Sequence, residues 1–207
     1  MRVVLDYGGT VVDAVDDSRY RVTEDPAVRQ PEYVAYKAYS LGIIQNEDEY
    51  VDVLRRLADV TEDDCHSYLE RRKNAVELPR ERERALREID RDHSLALFTD
   101  QVEPWIHETL ERFGVDDLFD DVVVSSALGR EKPHPEGYAR LRDGYDDVLM
   151  VSDELNDDLL MADYFDMTTV WIPNDHETVY REPDYSIDDL AELPGLLDEI
   201  ERGHGDD

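Results

Sequence analysis

Short apolar runs punctuate this chain at residues 3–5, 95–98, 122–124, 148–151 and 168–172. Each run is continuous rather than alternating, as in a strand covered on both faces. Between the later runs, apolar positions recur at helical spacing over residues 102–113, 135–141 and 155–164. Strand–helix–strand alternation predicts an α/β fold, with a parallel sheet, right-handed crossovers and helices on both sides.

The interval between the first two runs breaks this rhythm. A crossover needs about a dozen residues, and residues 6–94 far exceed that. Three helical stripes fill the interval. Residues 31–44 carry Tyr33, Tyr36, Tyr39 and Ile43. Residues 47–60 carry Tyr50, Val53, Leu54, Leu57 and Val60, and residues 62–78 carry Cys65, Leu69 and Val76. Glu47, Asp48 and the acids 62–64 stand at helix starts, where the positive end of the helix dipole favours them. The pattern predicts a helical insertion over residues 14–79 and an α/β core built from residues 1–13 and 80–207. Residues 80–91 return as a charged helix, and the tail from Gly203 to Asp207 is expected to fray.

Composition narrows the functional classes. With 53 acidic against 22 basic residues the formal net charge is -31. Such a surface repels nucleic acid and anionic membranes, so neither is an expected partner. The charge does not signal disorder, because 41% of the residues are hydrophobic and fall in ordered patterns. Lys37, Lys73 and Lys132 are the only lysines. Dense carboxylates with few lysines fit the cytoplasm of a salt-accumulating organism, where salt screens the self-repulsion. Cys65 is the single cysteine, which excludes an intrachain disulfide and a cysteine-based metal site; on its helical stripe it reads as a buried thiol. No apolar run is long enough to span a membrane, and the chain starts with a core strand rather than a leader. A cytoplasmic location is expected.

The polar chemistry gathers at strand ends, where parallel sheets bind their ligands. The first strand runs into Asp6-Tyr7-Gly8-Gly9-Thr10 and the second into Thr99-Asp100. The third ends at Ser125-Ser126 and is followed by Lys132-Pro133. The fourth ends at Ser152-Asp153, with Asp157 and Asp158 close behind. A nucleophile, a hydroxyl, a cation and an acidic pair thus converge on one edge. Lys132 reads as functional, since a compact ammonium is not equivalent to the guanidinium this chain otherwise prefers. His134 reads as a helix-start residue, and Tyr33, Tyr36 and Tyr39 as the packing stripe of the insertion.

Over nearly its whole length the chain resembles the haloacid dehalogenase-like (HAD) hydrolase superfamily. Asp6-Tyr7-Gly8-Gly9-Thr10 matches its first motif, Leu97-Phe98-Thr99 its second, Lys132-Pro133 its third, and the segment from Ser152 to Asp158 its fourth. Asp153 and Asp158 have the family spacing, and Ser186 to Leu193 is similar to the family's C-terminus. The resemblance implies a Rossmann-like parallel sheet of strand order 5-4-1-2-3. It also implies an inserted helical cap of the first subgroup, with the active site between cap and core and cap opening as the gate. The implied activity is Mg²⁺-dependent hydrolysis of a small phosphorylated metabolite through an aspartyl-phosphate on Asp6. The implied metal ligands are Asp6, the Gly8 backbone oxygen and Asp153, with Asp158 near or behind them. Lys132 would neutralise developing charge. Thr99 would donate to the phosphate, and Thr99, Asp100 and Lys132 would contact substrate.

One position departs from the family pattern. Phosphatases of this family usually carry a second aspartate two residues after the nucleophile, which protonates the leaving group and then activates water. Here that position is Gly8. Three readings stay open. The protein is a phosphatase whose proton comes from water, a substrate hydroxyl or the cap; some family members with this Asp-x-Gly variant act on sugar phosphates. Alternatively it runs another family reaction. The haloacid dehalogenases use tyrosine there and no metal, which the retained Asp153 and Asp158 oppose. The phosphonoacetaldehyde hydrolases break a C–P bond with alanine there and a cap lysine, for which Lys37 and Lys73 are the candidates. The third reading is a catalytically silent relative that binds a phosphorylated ligand or a partner.

Overall fold

The computed structural model describes residues 1–14, 21–174 and 181–203; Asp175 and the tail beyond Gly203 lie outside them. The chain opens with β1 (Arg2–Leu5) and β2 (Asp13–Ala14). Helices α1 (Pro26–Ser40), α2 (Glu47–Leu57) and α3 (Glu62–Lys73) follow, then β3 (Val76–Glu77) and α4 (Arg80–Ile89). The remainder runs β4 (Ser94–Thr99), α5 (Glu103–Phe113), β5 (Asp121–Val124), α6 (Ser125–Leu128), α7 (Pro135–Arg142), β6 (Val148–Ser152), α8 (Leu160–Tyr164), β7 (Thr168–Trp171), β8 (Tyr185–Ser186) and α9 (Leu193–Gly203).

Six strands form one sheet in the order β5-β4-β1-β6-β7-β8, every neighbouring pair parallel. This is the α/β, Rossmann-like order expected, read from the opposite edge and extended by β8. The continuous apolar runs are explained by burial on both faces. Val3 and Leu5 enter a cluster with Leu86, Ile106 and Leu197, whereas Val4 enters another with Phe98, Tyr138 and Met150. Strand β1 lies centrally, with Leu5 opposite Leu97 on one side and Val151 on the other. Asp6, Thr99 and Ser152 therefore emerge along one edge.

The insertion differs in detail from the sequence pattern. Helix α1 starts at Pro26, before the predicted residue 31, because the Asp25 carboxylate accepts the Ala27 N–H at 2.9 Å and Pro26 occupies the first turn, where no N–H is needed. Pro31 is carried inside the helix. Helix α3 stops at Lys73 rather than residue 78, and β3 then pairs antiparallel with β2 (Asp13↔Glu77, Ala14↔Val76). These two strands are the stem through which the chain leaves and re-enters the core. The predicted helix over 155–164 is in fact a π-helical turn, Leu155–Leu159, leading into α8. Such turns recur at functional sites.

The three inserted helices bury their own cluster, including Ala35, Tyr39, Tyr50, Leu54, Cys65, Tyr68 and Leu69. Cys65 is a buried free thiol, as read from its stripe, and burial raises its pKa. Trp105 from α5 penetrates this cluster. Its ring lies edge-on to Tyr39 at 5.4 Å between centroids, and its indole N–H donates to Glu47 Oε1 at 2.7 Å. Aromatic pairs of this kind contribute about 0.5–1.5 kcal/mol beyond area burial, so one core side chain anchors the helical unit.

Candidate active site

Strand β1 ends by delivering Asp6 into a tight loop. The Tyr7 carbonyl accepts the N–H groups of Val11 and Val12 at 3.0 Å, and Gly9 N–H donates to the Val12 carbonyl at 2.9 Å. Gly9 adopts φ +72°, and any Cβ there would land on the Asp153 carboxylate. Only glycine lets the β1 loop and the end of β6 approach this closely. Gly8 is different: it is exposed, and a Cβ on it would meet nothing within 4 Å.

Lys132 is the hub. Its Nζ lies 2.5 Å from Asp6 Oδ1 and 2.6 Å from Asp158 Oδ2, with all three side chains buried. Its backbone N–H donates to both oxygens of Asp100, at 3.0 and 3.1 Å. Asp158 Oδ2 also accepts the Ser152 hydroxyl at 2.7 Å, and Ser152 Oγ accepts the Glu154 N–H at 3.1 Å. Asp158 is thereby held between Lys132 and Ser152, behind Asp6, while the neighbouring Asp157 is exposed. The Asp153 N–H donates to Thr10 Oγ1 at 3.2 Å. Thr99 is buried at the end of β4. The structure thus brings Asp6, Thr99, Asp100, Lys132, Asp153 and Asp158 to one edge.

Electrostatics follow from four carboxylates around one ammonium. Burial pushes the Asp6 pKa up to about 7; Lys132 works against the shift and Asp158 adds to it. Burial likewise raises Asp100 to about 6 and Asp153 above its ordinary value. For Lys132, burial alone would lower the pKa, but Asp158, Asp6 and Asp100 outweigh it and hold the ammonium well above its usual value.

The donor chemistry fits a hard divalent cation. Asp153 Oδ1 is buried with no hydrogen-bond partner among the described residues. With Asp6 and the Gly8 carbonyl it offers oxygen donors of the type Mg²⁺ prefers. Among the described residues no group of three or more His, Cys, Asp or Glu side chains is arranged to hold a metal. The third carboxylate, Asp158, is turned to Lys132, so the available set is two carboxylates and a carbonyl.

Some expected groups lie elsewhere. The Ser125 hydroxyl donates to the carbonyls of Ser40, at 2.8 Å, and Gln101, at 3.2 Å. The Ser126 hydroxyl accepts the Glu103 N–H at 2.8 Å. Both serines are structural links. His134 caps α7, its Nδ1 accepting the Glu136 N–H at 3.3 Å. Among Tyr33, Tyr36 and Tyr39, only Tyr39 is buried in the cluster; Tyr33 is exposed, and the Tyr36 hydroxyl donates to Gln101 Oε1 at 2.9 Å. Sequence reasoning missed Ser152 as the partner of Asp158. It also missed Glu131, whose two oxygens accept Lys37 Nζ and Ser40 Oγ, each at 2.8 Å. Glu131 ties the inserted helices to the loop bearing Lys132; its only sequence signal is adjacency to that lysine.

Comparison with known proteins adds four findings. The haloacid dehalogenase-like hydrolase profile matches residues 2–166. A glyceraldehyde 3-phosphate phosphatase from Pyrococcus furiosus is 31% identical over 142 residues, 63% of this chain and 57% of that protein. A ribulose-1,5-bisphosphate 5-phosphatase from Halopiger xanaduensis is 32% identical over 102 residues, 42% of this chain and 43% of that protein. The matched stretches thus span about half the length of these curated relatives. Among solved structures, an L-2-haloacid dehalogenase from Xanthobacter autotrophicus superposes with a TM-score of 0.70 at 18% identity, covering 95% of this chain and 98% of that one; this likeness bears on the fold alone.

Proposed function

The chain belongs to the haloacid dehalogenase-like hydrolase family, and from that premise we propose that it is a Mg²⁺-dependent phosphatase of small phosphorylated sugars, working through an aspartyl-phosphate on Asp6. The observation that carries the reading is the buried Asp6–Lys132–Asp158 array beside the orphaned Asp153 oxygen. The two phosphatase relatives, each named for a phosphorylated sugar, supply the substrate class.

In this reading Asp6 attacks phosphorus, the P–O bond breaks, and the leaving group departs as its oxyanion, which takes a proton from solvent water. Water then attacks the phosphoryl group and regenerates the carboxylate. Lys132 holds Asp6 Oδ1, opposing the upward shift that burial imposes and orienting the carboxylate, and offsets charge on the phosphoryl oxygens. Asp158, braced by Ser152, positions Lys132, and Asp100 fixes the backbone of the same loop. Thr99 donates to the phosphate. Bound by Asp6, the Gly8 carbonyl and Asp153, Mg²⁺ would counter the carboxylate charge that otherwise repels a phosphate dianion. The inserted helices, residues 14–79, act as the cap over this edge, with the β2–β3 stem as the hinge.

Gly8 leaves the site without the usual acid, so leaving groups that need no proton react fastest. Lys37 and Lys73 do not suit the Schiff-base chemistry of C–P cleavage. Lys37 pairs with Glu131 at 2.8 Å, and Lys73 with Glu47 at 2.8 Å and Glu108 at 3.3 Å. Burial lowers both pKa values, but these hydrogen bonds outweigh it and raise them, keeping both amines protonated. The test is hydrolysis of an aryl phosphate in molar KCl with and without Mg²⁺, using Asp6→Asn as control. Mg²⁺-dependent turnover abolished in Asp6→Asn supports the reading; equal turnover in the two proteins contradicts it, and absence of turnover in both leaves a silent phosphate-binding relative.

A further inference from the structure

The inserted helices carry a cleft whose charge is opposite to that of the rest of the molecule. It has a volume of about 250 Å³ and is lined by Arg21, Arg29 and Arg72, with Glu32 and Tyr36 among its other walls. Three guanidiniums thus face one carboxylate, in a chain where acids outnumber bases 53 to 22. The arrangement is built by local structure. Arg29, Glu32 and Tyr36 share one face of α1 by their spacing. Arg72 comes from the last turn of α3, its guanidinium stacked 4.0 Å from the centre of the Tyr36 ring. Arg71 donates to the Arg21 carbonyl at 3.0 Å, which fixes the segment carrying Arg21 against α3.

Two carboxylates do not neutralise the three guanidiniums: Glu24, itself exposed, lies 3.9 Å from Arg21, and Glu32 is engaged by the backbone. Glu32 Oε2 accepts the Val22 N–H at 3.1 Å, and burial raises its pKa. Arg29 makes no ion pair among the described residues and is exposed. The walls of the cleft touch residues next to the catalytic edge. The Tyr36 hydroxyl lies 2.9 Å from Gln101 Oε1 and 3.5 Å from the Asp100 carbonyl, and Asp100 holds the backbone of Lys132. Arg72 lines a second, smaller pocket together with Tyr7 and Gln101, the residues that follow Asp6 and Asp100.

We propose that this cleft is a specificity subsite for a second anionic group on the substrate, a distal phosphate or carboxylate, gripped by Arg21, Arg29 and Arg72 while the reacting phosphate sits at Asp6. The inference rests on the phosphatase reading and narrows its substrate class to doubly anionic phosphate esters. Guanidinium forks match phosphate and carboxylate oxygens and bind them by short, charge-assisted contacts. Such contacts persist in molar salt, where the Debye length is about 3 Å. Remote attraction and repulsion do not persist there, so only direct contacts discriminate.

The test uses the full-length Asp6→Asn protein in molar KCl with Mg²⁺, titrated calorimetrically with fructose 1,6-bisphosphate and with fructose 6-phosphate. The expected result is at least tenfold tighter binding of the bisphosphate, with the ratio collapsing to about twofold or less when Arg21→Gln and Arg29→Gln are added. Arg72 is left in place because it stacks within the helical unit; circular dichroism checks that the double variant is folded, and the single variants replace it if it is not. Equal affinities in the parent, or a ratio unchanged by loss of the two arginines, overturns the subsite. Aryl-phosphate turnover by the unmutated enzyme is scored separately. Turnover with equal affinities removes the subsite alone, whereas absence of turnover removes the reading on which it rests.

Discussion

Substituting Gly8→Asp should create a better phosphatase. Gly8 is exposed, a Cβ there meets nothing within 4 Å, and its φ lies outside the left-handed region. An aspartate therefore fits without overpacking or backbone strain, and the Gly8 carbonyl is unchanged. The cost is a further negative charge near Asp6 and Asp153, about 1 kcal/mol at an exposed rim and less in molar salt. The gain is a general acid placed where the family pattern has one, worth roughly 10²–10⁴-fold, or about 3–5 kcal/mol of barrier. The gain outweighs the cost, but only where the leaving group needs a proton. The assay is kcat/KM with Mg²⁺ on an alkyl phosphate and on an aryl phosphate, for the unmutated protein, Gly8→Asp and Gly8→Asn. The expected outcome is about a hundredfold or greater rise on the alkyl ester for Gly8→Asp alone, and less than about tenfold change on the aryl ester for any variant. If Gly8→Asp is no better than Gly8→Asn on the alkyl ester while both hydrolyse the aryl ester normally, the reasoning fails and the proton is already supplied from elsewhere.

Other perturbations read different parts of the site. Replacing Lys132 by Met leaves buried Asp6 and Asp158 without their ammonium; turnover is lost, and chemical denaturation shows destabilisation of about 3–5 kcal/mol, larger at pH 8 than at pH 6 because more carboxylates are then ionised. Lys132→Arg does not restore turnover, since the fork cannot occupy the position of a point ammonium. Adding Mg²⁺ to metal-free protein at pH 7 releases protons, because Asp6 titrates at about 7 without metal and a bound cation lowers that value. Calorimetry in buffers of different ionisation enthalpy reads the release, which grows toward pH 6, fades by pH 9 and is absent in Asp6→Asn. Glu131→Gln loosens the tie to Lys37 and Ser40; the expected effect is a severalfold rise in KM with the melting temperature nearly unchanged, since a partly exposed pair contributes only about 1 kcal/mol. Gly137→Ala drives a methyl into the Phe98 ring and lowers stability by about 1–3 kcal/mol, measured by thermal unfolding.

The parts of the fold visible in the sequence are those whose burial leaves a periodic trace. The central strands read as unbroken apolar runs because both their faces are covered, and Tyr50, Leu54 and Leu69 mark their helices because one stripe is buried. Strands β2, β3 and β8 left no trace: each pairs over two residues, and Asp13, Glu77 and Tyr185 are not the residues of a buried strand. The ends of α1 and α3 were set by single caps, at Asp25 and Asn74, that periodicity does not register. At the site, strand-end positions pointed to Asp6, Thr99, Asp100, Lys132, Asp153 and Asp158. The relation among them was not legible: Asp158 faces Lys132 through a π-helical turn that shifts the register of side chains after β6, and Ser152 braces it from the last position of β6. The arginine cleft was invisible because Arg21, Arg29 and Arg72 are distant in sequence and meet only when α1 lies on α3.

The central claim is that Asp6 itself carries the phosphoryl group. The most direct measurement is a single-turnover reaction with an aryl phosphate and Mg²⁺, acid-quenched, reduced with borohydride and mapped by peptide mass spectrometry. The account predicts conversion of Asp6, and of no other carboxylate, to homoserine, with a yield that rises and decays on the timescale of product release. Full turnover without any modification of Asp6 at any quench time would contradict it and assign the attack directly to water.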